Sequence, residues 1–299
     1  MTYFIEPQIS PLTSYLLLLN TFFRLLACKD KKKILSLRLI SNVFFNMISK
    51  SQIKLVRQLE QKKYRTRLGL FVAEGPKVVG DLMLRQQPRL VFATDEWSGW
   101  QQLTEGGKTP ECFRVSNDEL QRVSFLQHPQ QVLAVFPLPD TSEELLKPDA
   151  RRLILALDGV QDPGNLGTII RIADWFGIDA ICCSLDTADA WSPKVVQATM
   201  GSLAHVHIVY TDLAAWIDRR PPEVPVYGTL LDGDDLYRQK LTTGGIIVMG
   251  NEGRGLSATI RERVTRRLLI PCFRQGPAAE SLNVAIATAI TCSEFRRRG

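Results

Sequence analysis

The sequence predicts an α/β protein: a parallel sheet with helices on both faces, preceded by a small α/β domain. Three observations carry this. From residue 151 on, apolar strand-like runs alternate repeatedly with helical patterns, which is the pattern of a parallel sheet joined by crossovers. The run LILALD (Leu153 to Asp158) is apolar without alternation, as a strand covered on both faces must be. Before it, PLPDTSEELLKPDA (Pro137 to Ala150) is rich in proline and acidic residues and suits a linker between two units. At 299 residues, 45% hydrophobic and 23% charged, the chain is long and apolar enough for two ordinary cores.

The elements follow in order. Residues 1–46 mix an apolar stretch with Arg24 and end in a Lys-rich run; the apolar part is too short and interrupted to span a membrane, and its charge follows rather than precedes it, unlike a secretory signal. We read this segment as a non-core extension, with Met47 as the functional start. Ser49 or Ser51 caps a helix over SQIKLVRQLEQKKYR, whose apolar stripe is Ile53, Val56, Leu59 and Tyr64. Lys54, Arg57, Lys62 and Lys63, with Arg65 and Arg67 beyond, form a basic face that fits RNA phosphates. Strands are expected at GLFVAEG, Leu90 to Ala93, Cys112 to Val115 and Gln131 to Phe136, and helices near Gly75 to Arg85 and Asn117 to Phe125.

In the second unit Asn165 caps a helix with Leu166, Ile169, Ile170, Ala173 and Phe176 on its buried stripe, and Gly177 stops it. Thr168, Arg171 and Asp174 face the other way. Then come the strand IDAICCS, a helix from Ser192-Pro193, the strand VHIVY, a helix from Asp212, and the strands VPVYGTL and GIIVM. The last helix, NVAIATAITCSEF, is small or apolar almost all round and should be buried, within the domain or against a second copy.

Composition narrows the chemistry. With 37 Lys+Arg against 31 Asp+Glu, the formal charge of +6 permits a polyanionic partner without requiring one. Six cysteines form no CxxC pair, and Cys182-Cys183 sit in an apolar run, as buried thiols in a reducing cytoplasm would. The three histidines, His128, His205 and His207, lack helical ligand spacing, so no metal site is expected. Neither GxGxxG after the first strand nor GxxxxGK[ST] occurs, which argues against a dinucleotide or a nucleoside triphosphate.

Three polar loops remain, each after a strand-like run: DPGNLGTIIR (Asp162 to Arg171), MGNEGRGLS (Met249 to Ser257) and IPCFRQGPAAESLNV (Ile270 to Val284). At the same end of a parallel sheet they would build one site. Glycine-rich loops without an accompanying lysine suit close backbone approach to a nucleoside carrying a cationic sulfonium.

NLGTIIRIADWFG, MGNEGRGL, and IP followed by ESLNVAIA resemble, in order and spacing, the three signature motifs of the SpoU (TrmH) family of RNA 2′-O-ribose methyltransferases, in the SPOUT superfamily. Residues 47–137 resemble the L30e-like substrate-binding domain that precedes many of these catalytic domains, so the resemblance implies an extension (1–46), a substrate-binding domain (47–137), a linker (138–150) and a catalytic domain (151–299). It implies a trefoil knot in the C-terminal sheet, against the general rarity of knots. It also implies S-adenosyl-L-methionine held by backbone around Leu230, Gly250, Ile270 and Leu282; catalysis by Asn165, Arg171, Glu252, Ser281 and Asn283; structured RNA, rRNA or tRNA, as substrate; and a homodimer whose protomers both build the active site. Guanidinium groups hold their proton, so Arg171 is read as a phosphate clamp and alkoxide stabiliser rather than a base. Ala285, where many relatives have serine, and the longer FRQGPAA loop depart from the pattern. Two alternatives are a non-catalytic RNA-binding assembly factor and an RNA base methyltransferase.

Overall fold

The computed structural model describes residues 48–104, 110–149, 151–277 and 279–298. The expectations for residues 1–46 and Met47 therefore lie outside the described residues.

The first unit begins with a helix break. Helix α1 (Lys50–Gln58) starts in a capping box, Ser49 and Gln52 each bonding the other's backbone amide. The sequence predicts one helix through Tyr64, but a second, α2 (Lys62–Leu68), follows a turn. The turn persists because Arg65 folds back and donates from one guanidinium nitrogen to the carbonyls of Leu59 and Glu60, both at 2.6 Å, satisfying acceptors that the end of α1 leaves open. Strands β1 (Leu70–Glu74), β2 (Leu90–Ala93), β3 (Glu111–Arg114) and β4 (Val132–Pro137) form a sheet in the order β1-β4-β2-β3, with α3 (Pro76–Met83) and α4 (Asn117–Val123) between them.

The strand alternation divides β1 between two cores. Leu70 and Val72 pack with Val56, Leu59, Phe92 and Leu120 inside the unit. Phe71 and Ala73 face the other way, into a core that also holds Leu155, Leu166, Ile169 and Trp191 of the second unit. Phe71 and Trp191 have ring centroids 4.9 Å apart. The two units thus share one hydrophobic core. The linker is docked as well: a 3-10 turn at Glu143–Leu146 buries Leu146 against the second unit, and the Glu143 carboxylate bonds Thr211 and Arg219.

The second unit contains β5 (Leu153–Asp158), α5 (Pro163–Trp175), β6 (Ala180–Cys183), α6 (Pro193–Ala198), β7 (His207–Tyr210), α7 (Leu213–Asp218), β8 (Val226–Asp235), β9 (Gly245–Gly250), α8 (Ala258–Arg261), β10 (Arg266–Leu269) and α9 (Val284–Arg298). Its sheet runs β10-β8-β9-β5-β6-β7, and every pairing in it is parallel. Successive residues of β5 alternate between the two faces: Leu153, Leu155 and Leu157 belong to the shared core, Ile154 and Ala156 to a second core with Leu213, Trp216 and Ile217 of α7. Helices on both faces are therefore observed, as the unbroken apolar run of β5 predicts.

One cap differs from expectation. Helix α5 is capped by Asp162, whose carboxylate accepts from the Asn165 amide at 2.8 Å, and Pro163 fills the first helical position. Asn165 therefore lies inside the first turn, which frees its side chain. The end of the helix is as expected: Gly177 has φ +61°, and the Ile178 amide returns to the Ala173 carbonyl at 2.8 Å.

Candidate active site

Strands β5 and β9 are neighbours with Asp158 opposite Gly250, so their following loops leave the sheet side by side. The loop after β9 is a tight hairpin: the Asn251 and Gly255 backbones bond each other in both directions at 2.9 Å, and Asn251 Oδ1 accepts from the amides of Gly253 and Arg254 at 3.0 Å. Gly250 has no room for a side chain, because a Cβ there would stand 2.4 Å from the Gly255 carbonyl carbon. Asn251 Nδ2 also donates to the Gly159 carbonyl at 2.7 Å, and Asp158 accepts from the Ser257 amide at 2.6 Å, tying the hairpin to the end of β5.

On this base three of the expected catalytic residues form a continuous hydrogen-bonded chain. The Glu252 carboxylate accepts from the Gln161 and Asp162 amides, each at 3.2 Å, and from Asn165 Nδ2 at 3.0 Å. Asn165 Oδ1 accepts from Asn283 Nδ2 at 2.9 Å. Asn283 Oδ1 accepts from the Ala285 and Ile286 amides at 2.9 and 3.3 Å, capping α9. All three polar loops are thus joined through side chains. Burial pushes the Glu252 carboxyl up, but the bonds from Asn165 and the backbone amides outweigh it and hold the group below the usual carboxylate range.

Arg171 and Ser281 stand apart from that chain. Arg171 is exposed on α5, and no hydrogen bond or ion pair engages it among the described residues. On ideal helix geometry it lies about 9 Å further along the axis than Asn165 and about 120° round. Glu252 therefore orients the loops and not Arg171. Ser281 is exposed in the loop before α9. Of the expected cofactor positions, Leu230 lies on β8, Gly250 ends β9 and Ile270 follows β10, three strands that are adjacent in the sheet and point the same way. Leu282 sits next to Asn283 and is 49% exposed. Ala285 is buried in the first turn of α9, where the Asn283 cap reaches its amide.

Sequence reasoning missed Asn251 and Asp158 as builders of the site. Asn251 lies in a GNEG turn, where a side chain that bonds amides two and three residues on was a readable signal. Asp158 had none beyond its place at a strand end.

The basic face is divided. Lys54, Arg57, Lys62, Lys63 and Arg67 are exposed. Lys63 and Arg67 stand over the Tyr64 ring at 4.9 and 5.0 Å, Lys62 stands 5.8 Å from the Tyr210 ring centre, and Arg57 donates to the Arg122 carbonyl and covers Phe125. Arg65 corrects the expectation: it is 3% exposed and pairs with Asp189 of the second unit, so it holds the two units together and does not face solvent. Among the described residues there is no group of three or more His, Cys, Asp or Glu arranged to hold a metal, and no helix long and apolar enough to cross a membrane.

With this geometry in view, comparison with known proteins is specific. Residues 152–293 match the model of the SpoU rRNA Methylase family, and residues 50–134 match an MRM3-like substrate binding domain. The chain is 34% identical over 257 residues to the 23S rRNA (guanosine(2553)-2'-O)-methyltransferase RlmP of Bacillus subtilis, covering 82% of this chain and 96% of that protein. A TrmH-family structure from Porphyromonas gingivalis superposes with a TM-score of 0.74 at 42% identity, over 85% of this chain and 100% of that one. An AdoMet-bound rRNA methyltransferase from Sinorhizobium meliloti superposes with a TM-score of 0.75 at 31% identity, over 85% of this chain and 97% of that one. The chain belongs to the SpoU rRNA methylase family, with a substrate-binding domain of the MRM3-like kind ahead of its catalytic unit.

Proposed function

We propose that this protein transfers the methyl group of S-adenosyl-L-methionine to a ribose 2′-OH in ribosomal RNA. The observation that carries the reading is the Glu252–Asn165–Asn283 chain, which fastens the three motif loops to one another beside Gly250. Relatives named as 23S rRNA 2′-O-methyltransferases, and the AdoMet-bound structure of one homologue, support the substrate and the donor. The residues fit the donor: apolar Leu230, Ile270 and Leu282, on strands and loops next to the Gly250 hairpin, suit an adenine ring.

The donor supplies a methyl group on positively charged sulfur, and the protein's task is alignment and charge. The 2′-oxygen forms a bond to the methyl carbon as the carbon–sulfur bond breaks, and the hydroxyl proton leaves to solvent or the adjacent phosphate. Asn165 and Asn283 position the ribose, Glu252 holds Asn165 through an ionised carboxylate, and Arg171 clamps a phosphate and stabilises developing charge on oxygen. Ser281 and Leu282 line the approach. Lys54, Arg57, Lys62, Lys63 and Arg67 bind flanking phosphates.

The functional unit in this proposal is a homodimer in the cytoplasm, with the division into 47–137, 138–150 and 151–299 and the C-terminal knot that the family resemblance implies. Its support is the placement of Arg171 away from Asn165 on the same helix as Trp175, which is 85% exposed, with Ile286 and Leu282 also exposed nearby in sequence to the site. A second protomer covering these side chains would bring its own Arg171 to the site. Calorimetry tests the donor assignment: the wild type binds S-adenosyl-L-methionine, and Gly250→Leu does not. A wild type that binds RNA but no donor would overturn the reading in favour of a non-catalytic assembly factor.

A further inference from the structure

A cavity of about 640 Å3 opens at the seam of the two units. It is lined by Glu74 and Phe125 of the first unit and by Pro163, Lys194, Gln197 and Met200 of the second. Its size, its apolar character and its place between domains are those of a small-molecule or base pocket. Pro163 is the first residue of α5, two positions before Asn165, so the cavity adjoins the ribose site.

Three features specify what it holds. Glu74 is 5% exposed and its carboxyl accepts from Ser124 Oγ and from the Phe125 amide at 2.9 Å; burial pushes the group above the usual carboxylate range against the opposing pull of these bonds and Arg57, and its two oxygens keep acceptor capacity beyond these two donors. Glu60 adds a second carboxylate to the lining. Phe125 is half-buried with the Arg57 guanidinium 5.6 Å from its ring centre, a planar group beside the cavity of the kind on which unstacked bases rest. Met200 is an apolar residue 42% exposed and held at φ +52°, one of two non-glycine residues with positive φ among the described residues; such strain persists where the surroundings impose it, commonly at ligand clamps. The seam is held rigid by the Arg65–Asp189 pair and the Phe71–Trp191 contact, so the cavity exists before any ligand arrives.

We propose that this cavity receives one unstacked guanine base of the substrate RNA, flanking the ribose presented at Asn165. Acceptor carboxylates call for a base that donates, and guanine alone places two donors, N1–H and the 2-amino group, side by side on its Watson–Crick edge. Lys194, exposed at the lining, meets the phosphate of the same nucleotide. The inference rests on the RNA-methyltransferase reading for its substrate but is tested by a separate readout.

The test is a ligand-observed NMR titration of the full chain with the 5′-monophosphates of guanosine, adenosine, cytidine and uridine, in saturating S-adenosylhomocysteine so that the donor site is filled. Guanosine monophosphate is expected to bind about tenfold more tightly than uridine monophosphate, as a paired-donor contact confers. Gln197→Trp, which fills the cavity from a partly exposed position, abolishes that binding and leaves S-adenosyl-L-methionine affinity unchanged. Glu74→Gln removes the preference for guanine; should that variant not fold, Gln197→Trp decides alone. Equal binding of all four nucleotides, or guanosine monophosphate binding indifferent to Gln197→Trp, overturns the proposal. Donor binding and RNA methylation by the wild type stand or fall apart from either result.

Discussion

Glu252 acts through charge at a surface where charge is usually worth little, because its partners are three donors fixed by the backbone and by Asn165. A carboxylate whose pKa is lowered on folding adds stability above its unfolded value and loses it as pH falls through the lower folded value. The wild type should therefore keep methyl transfer to a more acid limit than an ordinary glutamate allows, and Glu252→Gln should lower turnover at every pH while removing that acid limb; a pH–rate profile with the same limb in both would refute the role. Arg171→Ala should cost roughly 10²-fold or more in kcat, by analogy with loss of an oxyanion donor, and leave donor affinity intact. Calorimetry and a single-turnover assay read the two, and near-normal turnover would remove Arg171 from the mechanism. At this scale the sequence was legible where motifs coincide: Asn165, Glu252 and Asn283 meet in one chain. It was misleading where one residue type serves two ends. Asn165 looked like a helix cap and Asp162 took that position, while Arg65 matched its basic neighbours in type and was distinguished only by the half-buried Asp189 it reaches from 124 residues away.

Among the elements, α1 and α2 show how a local pattern is overridden by a distant contact. Periodicity favoured one helix, and the structure breaks it so that Arg65 can satisfy the Leu59 and Glu60 carbonyls while pairing with Asp189. Removing the buried partner of a half-buried pair leaves Asp189 short of its counter-charge and the Leu59 and Glu60 carbonyls without their donor, so Arg65→Ala should destabilise by about 3 kcal/mol, the low end for a broken buried pair. Lys63→Ala and Arg67→Ala should leave the melting temperature nearly unchanged, and each should reduce the salt slope of RNA binding by about 0.7–0.9. Thermal unfolding and RNA titrations across salt concentrations separate the two classes; a stable Arg65→Ala with a reduced slope would return Arg65 to the RNA face. Strand positions were more legible than this helix pair. Unbroken apolar runs such as LILALD fit strands covered on both faces, and β5 is one.

The whole molecule is joined more tightly than its linker composition suggests. Prolines and acidic residues around 137–150 read as a spacer, yet Leu146 is buried and Phe71 packs on Trp191, which no local pattern encodes. The proposed dimer belongs to this scale. Sedimentation at micromolar concentration should show two copies, and Trp175→Glu combined with Ile286→Glu should give a folded monomer that binds donor but loses turnover, since Arg171 would no longer reach a site; a monomeric, fully active wild type would contradict that arrangement. In the proposed mechanism, three loops at one sheet edge present a methyl donor to an RNA ribose. The most direct test is to incubate ribosomal RNA lacking its modifications with the protein and methyl-labelled S-adenosyl-L-methionine, then hydrolyse in alkali, since a 2′-O-methyl group blocks cleavage at its nucleotide. The expected result is label in an alkali-resistant dinucleotide, incorporated roughly 10²-fold or more slowly with Arg171→Ala. Label released in mononucleotides, as a methylated base would give, or no label in any RNA, would contradict it.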